Sequence, residues 1–297
     1  MKRTLFLILI LIFLLTGCAS PETPAQIAAT TLPVYEFTAR LTEGTGITVT
    51  RLVTEEVSCL HDYSLNVRQV KAAEAAEAIV ISGAGLEEFL NDILLSAPVI
   101  DASQGIELLC PEEEHGHDHD HDHDYGHEGH HHEHDPHIWL SPANAVTMAQ
   151  NICAGLTEAY PAHADTFAAN LDTLTAELEA LEAYGEEALS ELSCRELITF
   201  HDGFSYFADA FHLHILEAVE EESGSEASAR ELIHLIEEVE HHGLPAIFTE
   251  KSGSESAAAI ISRETGCASF PLDMAMAGDS WFDAMYHNID TIKEALK

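Results

Sequence analysis

Residues 161–192 read PAHADTFAANLDTLTAELEALEAYGEEALSEL. The stretch is rich in Ala, Leu and Glu, and Leu171, Leu174, Leu178, Leu181 and Leu189 recur close to the helical period. A helix from His163 to Leu192 would cover roughly 45 Å, enough to run the length of one domain and join it to another. On either side, short apolar runs alternate with helical stretches, the pattern of a mostly parallel sheet flanked by helices. Before it, residues 27–35 (IAATTLPVY) and 47–53 are β-rich, 66–76 predict a helix, 78–82 a buried strand, 86–95 a helix and 99–102 a strand. Ser141 and Pro142 supply an N-cap and a first-turn proline for a helix running to about Tyr160. After it, strands are predicted at 196–200, 213–219 and 246–249, and helices at 204–211, 228–241, 254–265 and 280–296. The expectation is two α/β halves, 27–160 and 193–297, with 161–192 between them; no internal repeat is convincing.

The N-terminus is a targeting segment. Lys2 and Arg3 precede an apolar run at residues 5–15, too short to span a bilayer as a mature helix. Leu15-Thr16-Gly17-Cys18 then matches a lipoprotein cleavage box. Residues 1–18 are read as the signal with Cys18 lipidated, and 19–26, with Pro21 and Pro24, as a tether. An extracytoplasmic protein anchored to the bacterial cell membrane by that lipid follows as the expectation. Twelve Lys and Arg against 52 Asp and Glu give a net charge of −40. Such a surface repels nucleic acid and anionic headgroups and attracts divalent cations. Cys59, Cys110, Cys153, Cys194 and Cys267 form no CxxC pair, which argues against a Cys-rich zinc module and leaves any disulfide pairing open.

Between these features lies EHGHDHDHDHDYGHEGHHHEHDPHIWL, residues 114–140. Neutral imidazole is the commonest zinc ligand, and the density of His115, His117, His119, His121, His123, His127, His130, His131, His132 and His134 points to a transition metal. With no apolar residues to bury, nothing offsets the entropy of ordering this run, and residues 112–134 are expected to be a mobile loop serving as an auxiliary metal site. Three histidines outside it stand at or after predicted strands: His61 in SCLHDYSL, His137 in DPHIWLSP and His201 in ITFHDGFSYF; Asp273 in FPLDMAMAG sits similarly. Ligands of open α/β sheets bind at the carboxyl ends of strands, and a His3Asp set suits zinc. A lone strand-end histidine is more often a hydrogen-bonded structural residue; three in equivalent positions weaken that reading. His212 and His214 are expected at the surface or sheet end, His241 and His242 at a helix end favourable to His, and His287 on the outside of a helix.

The lipobox, HDYSLNVRQVKAAEAAEAIVISGAGLE, the His-rich loop, DPHIWLSP, HDGFSYFADAF and LDMAMAGDSWFDAMYHNIDTIKEAL together resemble the zinc/manganese-binding lipoproteins, the cluster A-I substrate-binding components of metal ABC importers. The similarity runs from about residue 28 to 297. It implies two Rossmann-like α/β lobes joined by one long rigid helix, with metal in the cleft between them on His61, His137, His201 and Asp273. It also implies a membrane permease and a cytoplasmic ATPase as partners, a monomer, and no contact with nucleic acid. Manganese binders of the family usually carry Glu at the third ligand position and zinc binders His; His201 therefore implies Zn(II) over Mn(II), as the chemistry of imidazole does. Glu250 matches a position lining the cleft behind the ligands. The stretch before His61 lacks the Glu-Pro-His wording common in the family, and near Asp273 the neighbour Asp279, or a water completing a three-His site, is an alternative.

Import of zinc by a binding protein is thus the leading expectation. A manganese- or iron-binding relative, and a surface zinc store or adhesin without transport, are the alternatives. A catalytic zinc needs an exchangeable water and a general base, whereas the His3Asp set would take its ligands from the protein and leave little or no open position, so no enzyme activity is expected.

Overall fold

The computed structural model describes residues 26–55, 60, 63–91, 97–109, 134–219, 227–251 and 255–297. Four strands, β1 (Gln26–Ala29), β2 (Thr48–Arg51), β3 (Ala78–Ile81) and β4 (Val99–Asp101), form a parallel sheet in the order β2-β1-β3-β4. Four more, β5 (Glu196–Thr199), β6 (His214–Ala218), β7 (Ala246–Glu250) and β8 (Ala268–Leu272), form a second parallel sheet in the order β6-β5-β7-β8. The halves therefore share one topology that no sequence repeat announces. The inner strands are buried on both faces: Ile27 and Ala29 face a central core while Ala28 faces an outer one, and β3 and β7 alternate likewise. Pro271 lies in β8, an edge strand, where a missing N–H costs no ladder bond.

Helices α1 (Leu32–Leu41), α2 (Val67–Ala75), α3 (Pro142–Ala159), α4 (Ala164–Leu189), α5 (Ser205–Ala210), α6 (Ala229–His242), α7 (Ser256–Thr265) and α8 (Trp281–Leu296) flank the sheets. Their starts follow capping chemistry. Asn66 and Ser228 form capping boxes with Gln69 and Glu231, while the Ser141 and Ser280 hydroxyls accept from Asn144 N–H and Asp283 N–H. The long helix expected to reach Leu192 is α4, preceded by a 3-10 turn at Pro161–His163. Its buried stripe is Phe167, Leu174, Leu178, Leu181, Gly185 and Leu189, with Leu171 half-buried beside it. Gly185 is dictated by packing, since a Cβ there would lie 2.2 Å from the Phe211 ring. The stripe faces α3, α1 and α8, so one helix is packed by elements of both halves.

Two local expectations are corrected. Residues 32–35 continue no strand but open α1, because Pro33 suits a first helical turn and Leu32, Phe37 and Leu41 then fall on one buried face. Residues 88–90 form only a 3-10 turn where a longer helix was expected, and 92–96 lie outside the described residues. Cys153, Cys194 and Cys267 are free thiols; Cys59 and Cys110 lie outside the described residues.

The ends of β1 and β3 are tied by a buried carboxylate. Glu87 accepts from Thr30 Oγ1 (2.7 Å), Ser82 N–H (2.7 Å) and Gly83 N–H (3.0 Å). Gly83 has φ +83°, and a Cβ there would sit 2.0 Å from Asp101 Oδ1, so only glycine fits. Burial outweighs the three donors and pushes the Glu87 carboxyl up from 4.5 to about 7. The folded protein holds this proton more tightly than the unfolded chain. The group's contribution to stability is therefore full below about 4.5 and is lost as pH rises through about 7. Urea unfolding at pH about 5 and about 8 should show a fall in stability that is smaller in Glu87→Gln; equal falls in both proteins would remove this account.

Candidate metal centre

Asp135-Pro136-His137-Ile138-Trp139-Leu140 enters the core as a tight turn, with Ile138–Leu140 a 3-10 turn of fully buried side chains. Asp135 is fixed from three sides. Its N–H donates to Leu109 C=O (2.9 Å), its C=O accepts from the Tyr206 hydroxyl on α5 (3.0 Å), and that hydroxyl accepts from Leu109 N–H (2.9 Å). Asp135 Oδ1 accepts both the backbone N–H (2.9 Å) and the ring Nδ1–H (2.8 Å) of His137. With the proton on Nδ1, the neutral ring presents its Nε2 lone pair outward, the tautomer a metal requires.

That Nε2 meets His201. The two Nε2 atoms are 3.4 Å apart, with ring centroids 5.2 Å apart and planes at 86°. His137 is buried and His201 half-buried, just past the end of β5. Two nitrogens on a tetrahedral zinc with bonds of about 2.0–2.1 Å are separated by roughly 3.3–3.4 Å, so the pair already has the spacing of an edge of that tetrahedron. Gly203 makes this approach possible: a Cβ there would lie 2.7 Å from His201 Cδ2, 3.1 Å from His137 Cε1 and 2.6 Å from Met274 Cε.

Asp273 follows β8, and its main chain is pinned by Asn288, which accepts from its N–H (2.8 Å) and donates to its C=O (2.7 Å). Its carboxylate is engaged on both oxygens: Oδ1 accepts from Ala275 N–H (2.8 Å) and Oδ2 from Lys251 Nζ (2.9 Å). Lys251 is carried there by the β7–β8 ladder, its own N–H donating to Leu272 C=O (2.9 Å). Glu250 beside it is buried at the end of β7. Asp279 is exposed.

The structure thus brings His137 and His201 together and holds Asp273 in an ion pair. His61, Cys18 and the histidines from His115 to His132 lie outside the described residues; His134, half-buried, directly precedes Asp135. Three residues escaped the sequence reading. Asp135 was visible as the carboxylate of an Asp-x-His step. Gly203 and Lys251 carried no local signal, because their roles arise from residues distant in sequence.

Residues 27–295 match the family described as ZnuA, zinc-uptake complex component A, periplasmic. A Treponema pallidum (strain Nichols) protein is 29% identical over 299 residues, covering 96% of this chain and 93% of that one. The zinc-binding lipoprotein AdcA of Streptococcus pneumoniae serotype 4 is 29% identical over 284 residues, and the chain spans about half of its length, 55%. A crystal structure of ZnuA superposes with a TM-score of 0.76 at 30% identity, covering 92% of this chain and all of that one.

Two outcomes follow for zinc titration against a competing chelator. Asp135→Asn keeps the size of the side chain but accepts the Nδ1 proton poorly; affinity should fall about 10–100-fold, and an unchanged value would dismiss Asp135 as the orienting group. Lys251→Met should tighten binding about two- to fivefold by removing a half-exposed competitor for Asp273, whereas weaker binding would mean that Lys251 supports the site.

Proposed function

The chain belongs to the zinc-uptake complex component A family, and we propose that it captures Zn(II) outside the cytoplasm between its two lobes and passes it to an ABC-type membrane permease with a cytoplasmic ATPase. The observation that carries this reading is the His137 Nε2–His201 Nε2 separation of 3.4 Å, with Asp135 setting the tautomer of His137. Imidazole at position 201, where a carboxylate would favour manganese, selects zinc. In this reading His61 and Asp273 complete the set, and Lys251 leaves Asp273 as the ion enters. Glu250 lines the cleft behind them. Residues 27–160 and 193–297 act as the two lobes and 161–192 as their rigid link.

The His-rich residues 112–134 serve as fast, weak auxiliaries that raise the local zinc concentration. The run is almost entirely His, Asp, Glu and Gly, with little apolar sequence to fix a geometry, so in this reading its histidines compete poorly with a preorganised pair. Cys18 carries the lipid anchor, supported by its lipobox and by the lipoprotein named among the relatives. Among the described residues no helix is long and apolar enough to cross a membrane. In this reading the site binds its ion for transport, as the substrate-binding component of an importer does.

The test removes residues 112–133 in one protein and introduces His201→Ala in another, then titrates zinc and manganese into the stripped proteins. Deletion should leave the tight zinc site intact, while His201→Ala should weaken it by more than the roughly 10–100-fold expected for losing an outer partner. Tight binding that disappears with the deletion and survives His201→Ala would overturn the assignment.

A further inference from the structure

The carboxylate–imidazole arrangement that orients His137 occurs a second time, at the far pole of the C-terminal lobe. Helix α6 ends at His242, closed by Gly243 in the left-handed region (φ +64°), and its last turns carry Glu238, His241 and His242. These occupy positions i, i+3 and i+4, one face of a helix. One ligand atom from each of the three lies within 4.8 Å of the other two. A tetrahedral zinc needs roughly 3.4 Å between such atoms, a closure that rotation of the exposed His241 side chain can supply.

Proximity alone would be a weak argument, since a Glu–His pair at this spacing also stabilises an isolated helix. The orientation of His242 adds a second observation. Its Nδ1 lies 3.1 Å from Oε2 of Glu196, the first residue of β5, so a carboxylate from another element accepts the Nδ1 proton. Its Nε2 is thereby left to face Glu238 Oε2 at 3.5 Å, on the side where His241 also lies. This is the outer-partner geometry that prepares an imidazole for a metal, and it matches Asp135–His137 in setting a carboxylate from outside the donor cluster against Nδ1. Unpaired C=O groups of the last helical turn and the negative end of the helix dipole favour a cation there. His234, eight residues earlier on α6, has a carboxylate partner in Glu217 (3.1 Å) but no place in the cluster.

We propose that Glu238, His241 and His242 form a second, exchangeable transition-metal site, with Glu196 as the residue that positions His242. Two imidazoles and one carboxylate suit Zn(II), Ni(II) or Cu(II) and disfavour Mg(II) and Ca(II). Three protein ligands leave at least one coordination position to solvent, so the site is weak and open. Glu196 opens β5 and His201 follows its end, which puts roughly 16 Å of strand between the two places. The site is therefore separate from the cleft and independent of the function proposed for it. Its occupation would clamp the α6–β7 corner to the start of β5.

Histidine footprinting with diethyl pyrocarbonate, read residue by residue by mass spectrometry on the full-length protein, tests this with zinc alone as probe. Zinc in excess of the tight sites should slow modification of His241 and His242 several-fold, and magnesium should not. His234, His212 and His287 should react at unchanged rates. Glu238→Gln should abolish the protection of His242 while His137 stays protected, and Glu196→Gln should weaken it with Glu238 intact. Unaltered modification of His241 and His242 beside a protected His137 would overturn the second site alone. Equal protection of His234, His212 and His287 would also overturn it, as a non-specific effect. Failure of the cleft assignment would show instead as an unprotected His137.

Discussion

The indole N–H of Trp139 donates to the carbonyl of Met274 at 2.8 Å, inside the core, and the candidate centre depends on that bond. Trp139 is fully buried two residues after His137, and Met274 is buried directly after Asp273. A buried indole N–H without an acceptor costs roughly 1–3 kcal/mol, so the bond fixes the relative position of two segments that share no strand or helix. Around it the seam is closed by Leu32 N–H to Met276 C=O (3.2 Å), Arg51 to Gly278 C=O (2.7 Å) and Trp281 N–H to Glu36 (2.6 Å). Phe37 and Trp281 pack edge to face across the same seam. Helix α4, packed by α1, α3 and α8, braces it from behind. Ligand nitrogens carried on such a frame need little reorganisation to receive an ion, which is where affinity is gained beyond the number of ligands.

The charge balance of the chain gives this frame its chemistry. With 52 acidic residues against twelve Lys and Arg, carboxylates are available wherever an imidazole needs orienting. Asp135 does this for His137, Glu196 for His242 and Glu217 for His234. What distinguishes the first two is the second donor opposite the ring: His201 in one case, Glu238 in the other. The few cations are correspondingly placed. Arg40 bridges Glu36 and Glu177 beneath the Phe282 ring, and Lys251 neutralises Asp273, the one carboxylate of the candidate set that the structure describes.

Much of the architecture could be read from residues 26–297 because the signals are local. The continuous apolar run AIVI, helical spacing of leucines in α4, and caps at Asn66, Ser141, Ser228 and Ser280 act over a few residues each. The error at residues 32–35 came from the same locality: ATTLPV is rich in β-formers, and only the burial of Leu32, Phe37 and Leu41 against the sheet selects helix. The shared order of the two sheets was invisible because strand order is set by which faces find partners, and a parallel sheet accepts many sequences for one order.

By itself the sequence determined the class of fold, the kind of ion and the residues from which a centre would be drawn. Periodicity, capping and the preference of imidazole for zinc are properties of short stretches or single side chains, so they survive without a fold. Only the tertiary structure decided which donors meet. His137 and His201 are 64 residues apart and 3.4 Å apart in space, Lys251 reaches Asp273 through a ladder between two strands, and Glu196 reaches His242 from the far end of β5. Coordination and hydrogen bonding act over about 2–4 Å, and the chain brings distant residues within that range only when burial of its apolar faces fixes where each strand ends.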